Sequence, residues 1–242
     1  MQWTDSTIAN SSERIKKLDC QRIQLDRVSG RVEPDIEKMA IGEAREYSLA
    51  VLHIDVNGFK ELTNSLKNPQ ILRFLNTFLS EMTYVVRDYS GMVEKYVGDR
   101  VTAVFGIGET KELAVQHAID CAVTMLTVIK YAINPYFRSI GLPEFTCSIG
   151  IDYGRVWIAR TGIINFSQFT LVGIEVSIAS KLVEVALENV ILIGEEAYDN
   201  LSTKEKEYCV QLNSPQGWIW RWYNRAYYLY RYTGTWNGYN FR

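Results

Sequence analysis

Two aspartates hold positions where acid chemistry can gather. Asp55 closes the apolar run YSLAVLHIDV, and Asp99 follows Gly98 at the turn between MVEKYV and RVTAVF. Taken singly, the first is an ordinary helix cap and the second an ordinary turn residue. Together, at the ends of neighbouring strands, two convergent carboxylates with room for water suit a pair of hard divalent ions, Mn or Mg, that hold a triphosphate. Past Asp55, the segment Val56-Asn57-Gly58-Phe59 leads into a helix whose first backbone N–H groups would hold phosphate oxygens. Phosphoryl or nucleotidyl transfer is the chemistry this arrangement predicts.

Other chemistries are poorly supplied. His53 and His117 are the only histidines, so a zinc site or a histidine-based triad would consume nearly the whole stock. His53 shares a strand face with Asp55 and reads as a packed strand residue, since metal ions already supply the activation. Cys20, Cys121, Cys147 and Cys209 lie far apart with no CxxC and read as reduced thiols. FGIGE after the third strand is turn chemistry, because no GxxxxGK is present. Twenty-six Lys and Arg against 28 Asp and Glu give a net charge of −2, without the basic excess of a nucleic-acid binder. The N-terminus has no apolar leader and no uninterrupted apolar run reaches membrane-spanning length, so a cytoplasmic chain with no membrane span is expected.

The elements that must position these residues follow from periodicity. A buried strand ends at Asp55, and from Pro69 the residues Ile71, Phe74, Leu75, Phe78, Met82, Val85 and Val86 mark one face of a helix. A tight hairpin carries Asp99, a second helix over 111–131 stops at Pro135, and FTCSIGI and VWIAR are two strands joined by Asp152-Tyr153-Gly154. FTLV, a helix over about 174–187, VILIG and a short helix in EEAYDNL extend the series. The order predicts an α+β fold, a ferredoxin-like palm with an antiparallel sheet and helices on one face. Residues 1–45 read as an arm, 46–205 as the catalytic domain, and 206–242 as an aromatic tail in which WIWRWY and AYYLYRY form a hairpin across Asn224-Arg225.

Four segments, LAVLHIDVNGFKEL, GMVEKYVGDRVTAVFG, FTCSIGIDYGRVWIAR and FTLVGIEVSIASKLVEVA, follow in order the pattern of class III nucleotidyl cyclases. The chain resembles that family over roughly residues 47–200. The resemblance implies a homodimer with two sites at its interface, each with two metal ions on Asp55 and Asp99 and on the Val56 carbonyl. It also implies that Lys95, supplied by the opposite protomer, and Thr170 contact the base. Where the family reads NxAxR, this sequence has SIASK, placing Ser177 at the ribose position and Lys181 at the position that stabilises the transition-state phosphate. Lysine there is a point charge in place of a bidentate fork.

These substitutions, with Tyr96 beside Lys95, Arg100 after the second aspartate and the aromatic tail, resemble the pyrimidine cyclases of bacterial Pycsar anti-phage systems. That resemblance implies conversion of UTP to cyclic UMP and a separate cyclic-nucleotide-activated effector. Tyr96 and Arg100 are candidates for base selection, although strand alternation sends Lys95 and Tyr96 to opposite faces. Lys181 and Arg225 are candidates for stabilising added negative charge. The alternatives are a cytidylate or purine cyclase, another palm transferase, and a silent nucleotide-binding or dimerisation module. The longer Gly-Gly-Asp/Glu turn of diguanylate cyclases is absent.

Overall fold

In the computed structural model, which describes residues 5–20, 36, 38–220 and 224–241, an N-terminal helix α1 (Asp5–Cys20) precedes the first strand. It docks through Ile8 and Ile15, which join the main apolar cluster. It also docks through Arg14, whose guanidinium lies 3.1 Å from the buried Glu81 carboxylate. Residues 21–35, with Ile23, Leu25 and Val28, lie outside the described residues.

Strand β1 (Ala44–Val56) is buried on both faces toward its C-terminal end, as its unbroken apolar run requires. Ala50, Leu52, Ile54 and Val56 enter one apolar cluster, while Leu49 and Val51 enter a second on the opposite face. A short helix α2 (Phe59–Asn64) leads to α3 (Asn68–Asp88), which has Pro69 in its first turn. The α3 residues Phe74, Phe78, Met82, Val85 and Val86 are buried, the face the spacing predicts.

The hairpin β2 (Met92–Val97) and β3 (Arg100–Phe105) turns at Gly98, whose φ of 63° is left-handed and suits a residue without Cβ. Helix α4 (Lys111–Val128) starts at Thr110, whose hydroxyl accepts from the Leu113 N–H. The run does not stop at Pro135. It passes through a π-helical turn (Ile129–Ile133) into α5 (Asn134–Ser139), where Pro135 occupies a first-turn position that needs no N–H. Lys111–Ser139 is long and apolar enough to cross a membrane by composition, but 72% of its apolar stretch is buried within the fold.

Strand β4 (Cys147–Ile163) is continuous where the sequence suggests two strands. β1 offers it a partner at every position from Ala44 opposite Ala159 to Val56 opposite Cys147, so ladder pairing overrides the turn preference of Asp152-Tyr153-Gly154. After Asn165, at φ 67°, β5 (Phe166–Val172) folds back on β4. Then come α6 (Ile174–Val185), β6 (Ile191–Gly194), α7 (Glu195–Asp199), α8 (Thr203–Lys206), β7 (Cys209–Leu212), β8 (Ile219–Trp220), β9 (Arg225–Ala226) and β10 (Leu229–Tyr232).

The main sheet runs β2-β3-β1-β4-β6-β10-β7, with β5 on β4. This is the α+β palm, antiparallel apart from the parallel pair β4–β6. Helices α3 and α4 share one face with the first cluster, whereas α6 lies on the other, Ala179 packing with Leu49, Val51, Val156 and Ile158. The tail differs from its expected hairpin. Among the described residues Ile219–Trp220 and Arg225–Ala226 pair across the turn, while β10 enters the main sheet between β6 and β7. Residues 221–223, including Trp222 and Tyr223, lie outside the described residues.

The tail is anchored through a buried acid. The Tyr227 hydroxyl donates to Asp152 Oδ2 (2.9 Å) and accepts from the Glu195 N–H (2.9 Å), and burial holds the Asp152 carboxyl well above the usual range. Tyr227→Phe is expected to lower the unfolding free energy by about 1–3 kcal/mol in urea denaturation, because buried Asp152 loses one of its donors and the Glu195 N–H its acceptor. An unchanged midpoint would show that this contact does not anchor the tail.

Candidate active site

The Asp55 side chain leaves β1 on the face covered by α6, opposite Ser148 of β4. Asn57 Nδ2 donates to Ser148 Oγ at 2.7 Å, and Ser148 Oγ donates to the Leu187 carbonyl at 3.1 Å, which pins the segment after Asp55 to β4. Helix α6 approaches that face because Gly150 has no side chain. A Cβ there would fall 2.2 Å from the Ala179 carbonyl oxygen. Close approach at Gly150 brings Ser177, Ser180 and Lys181 over the ends of β1 and β3.

An open cleft of about 620 Å³ results, lined by Asp55, Asp99, Lys95, Arg100, Ser177 and Lys181 together with Glu94, His53 and Ser180. Asp99 lies at the hairpin turn and accepts from its own N–H and that of Val56. Burial first, and then the neighbouring Asp55 carboxylate, push its carboxyl up to about 6. Arg100 supplies the balancing charge. Its Nη2 and Nε donate to Asp55 Oδ2 at 2.6 and 3.1 Å, while Nη1 donates to Ser180 Oγ at 2.9 Å. His53 is buried, its Nδ1 3.0 Å from Thr102 Oγ1, and burial followed by the Arg100 charge lowers it to about 4. It is neutral at pH 7 and acts as a packed strand histidine.

The donor set fits divalent ions. Two crowded carboxylates and the adjacent Val56 carbonyl are hard oxygen donors, and a cation would relieve the repulsion that raises Asp99. Among the described residues no group of three or more His, Cys, Asp or Glu could hold an ion. An ion here would therefore take its remaining ligands from water and phosphate oxygens.

Five expected site residues, Tyr96, Thr170, Phe59, Arg225 and Val56, lie outside this lining. Tyr96 points to the opposite face, its hydroxyl 2.5 Å from Thr83 Oγ1 of α3, as strand alternation requires. Thr170 is on β5, 2.9 Å from Thr161 Oγ1. The Phe59 ring packs on Phe74 with centroids 5.9 Å apart and supports the core. Arg225 is turned away by an ion pair in which its Nη1 donates to Glu195 Oε2 at 2.9 Å, with its guanidinium over the Tyr228 ring. The Val56 side chain is buried, and its N–H faces Asp99.

Sequence reading missed Glu94 and Ser180. Ser180 was accessible from helical spacing, since Val176, Ser177, Ser180, Lys181 and Glu184 mark one stripe of α6. Cys121, Cys147 and Cys209 are free thiols, as expected of them.

Residues 43–215 match the adenylate and guanylate cyclase catalytic domain. With this palm and its pair of facing aspartates, the chain belongs to that family, the class III nucleotidyl cyclases. It is 28% identical over 179 residues to an adenylate cyclase of Anabaena cylindrica, covering 70% of this chain but only 34% of that protein. It is 27% identical over 212 residues to a uridylate cyclase of Burkholderia cepacia, covering 84% of this chain and 86% of that one. The solved guanylyl cyclase Cya2 superposes with a TM-score of 0.70 at 19% identity, over 83% of this chain and 98% of that one.

Arg100 and a metal ion compete for Asp55. Arg100→Met is expected to tighten Mn binding about fivefold by titration calorimetry, the equivalent of a partly buried ion pair worth about 1 kcal/mol. Unaltered affinity would mean that the guanidinium does not compete.

Proposed function

We propose that the chain is a nucleotidyl cyclase that converts UTP to 3′,5′-cyclic UMP and pyrophosphate. The observation that carries the reaction class is the facing of Asp55 and Asp99 by Ser177 and Lys181 across one cleft. The choice of UTP rests on the likeness to the Burkholderia protein over nearly its whole length.

In the reaction the ribose 3′-oxygen attacks the α-phosphorus, the bond from that phosphorus to the bridging oxygen breaks, and the hydroxyl proton passes to water. Mn or Mg held by Asp55, Asp99 and the Val56 carbonyl would supply Lewis-acid activation of the hydroxyl and charge neutralisation on the phosphates. Ser177 orients the ribose by hydrogen bonding. Lys181 places its ammonium beside the charge that grows on the phosphoryl oxygens. Lys95 donates to the base from β2, and Arg100, once it leaves Asp55, is free to pair with phosphate.

The product would act as a second messenger in bacterial antiviral defence through a separate effector, made in the cytoplasm where nucleoside triphosphates are abundant. The Anabaena likeness favours a second reading, a purine cyclase.

A homodimer is part of this reading. At the tip of the β4–β5 hairpin, Ile163, Ile164 and Phe166 are 69%, 77% and 80% exposed, an apolar surface that a second copy would cover. The paired change Ile164→Glu and Phe166→Glu is expected to shift the sedimentation coefficient to that of a monomer and to reduce activity at least tenfold. A dimer that survives this change does not use the tip.

The reaction itself is tested by incubating the protein with ATP, GTP, CTP and UTP separately, with Mn or Mg, and identifying products by mass spectrometry. Cyclic UMP from the intact protein and none from Asp99→Ala is the expected result. Cyclic AMP or GMP would support the purine reading, and no product from any triphosphate would support a silent nucleotide-binding module.

A further inference from the structure

Strand β2 contains a bulge that its sequence does not announce. Met92 pairs with Val104 and Val93 with Ala103, but the next pair is Lys95 with Thr102, so Glu94 is an extra residue in the ladder. In a regular strand Glu94 and Lys95 would face opposite sides of the sheet. Here both line the cleft.

The Glu94 side chain is only 1% exposed, and the Lys95 ammonium lies 3.1 Å from its Oε1. The Leu171 N–H of β5 is directed at the carboxyl, yet neither carboxyl oxygen completes a well-formed hydrogen bond among the described residues. Burial raises its pKa, with Lys95 opposing that effect. An acid held this way in a core would cost stability with no return, since a buried carboxyl requires partners. Glu94 is instead at the wall of a cleft, ion-paired with Lys95, where a ligand that engages the ammonium would meet the carboxyl beside it.

We infer that Glu94 is a specificity-determining residue, its carboxyl and the Lys95 ammonium forming an adjacent acceptor and donor for the hydrogen-bonding edge of the nucleobase. This rests on the nucleotidyl cyclase reading. The imide edge of uracil suits the pair, its N3–H donating to Glu94 and a flanking carbonyl accepting from Lys95. The backbone bulge sets the spacing of the two groups.

The test separates this inference from the function it rests on. Steady-state kinetics with the four nucleoside triphosphates would compare the intact protein with Glu94→Ala and the isosteric Glu94→Gln. Calorimetry would measure binding of UTP and of inorganic tripolyphosphate, which has no base. The loss of a hydrogen bond to a charged group predicts that Glu94→Ala raises the KM for the preferred triphosphate about ten- to a hundredfold. The value of kcat should change much less, the ranking of the four bases should alter, and tripolyphosphate affinity should be preserved.

An equal fall in kcat/KM for all four triphosphates, or an equal loss of UTP and tripolyphosphate affinity, would overturn the inference and assign Glu94 a purely structural role. If Glu94→Ala does not fold, Glu94→Gln decides by the same criteria. If no triphosphate is turned over, the cyclase reading fails. A selective loss of UTP binding over tripolyphosphate would then still support base contact by Glu94.

Discussion

Antiparallel pairing of β1 with β4 along the full length of β1 is the constraint on which the rest of the molecule depends. It buries the centre of both strands, and each face of β1 must then be covered by helices, α3 and α4 on one side and α6 on the other. Asp55 reaches the cleft because it lies on the α6 face near the end of that ladder. Gly150, across from His53, lets α6 descend far enough to bring Ser177 and Lys181 within the same cleft. Removing this close contact would move the helix and with it half of the polar lining.

The site contains nearly balanced local charge. Asp55 and Asp99 repel each other at short range, Arg100 neutralises the first, and Lys95 and Glu94 form a second opposed pair farther along β2. Ammonium groups predominate over guanidinium groups in the cleft, with Lys95 and Lys181 against Arg100. Lysine gives direction-free charge without a planar fork, so the cleft's cations impose little directional preference on an anionic ligand.

What could be read in the sequence is what local physics determines. The apolar run ending at Asp55, the helical spacing of α3 and the Gly98-Asp99 turn depend on near neighbours, and all three appear where their patterns place them. The failures involve long-range pairing. Asp152-Tyr153-Gly154 looks like a turn until β1 supplies a partner, and Pro135 looks like a terminator until a π-turn intervenes. Within the site, Asp99 was legible from its motif, but Glu94 was hidden by the period-two rule that a bulge breaks. Arg225 was placed in the site by charge alone, and its pairing with Glu195 required knowing where the tail lies.

The uninterrupted course of β4 also has a mechanical meaning. From Ser148, opposite Asp55, to Ile163 at the exposed hairpin tip, the strand spans about 50 Å of extended chain. It has no hinge of the kind that the Asp152-Tyr153-Gly154 turn would have provided, and β1 stiffens it over most of that distance. The chain therefore has a continuous paired strand, not a joint, between the exposed apolar hairpin tip and the position opposite Asp55.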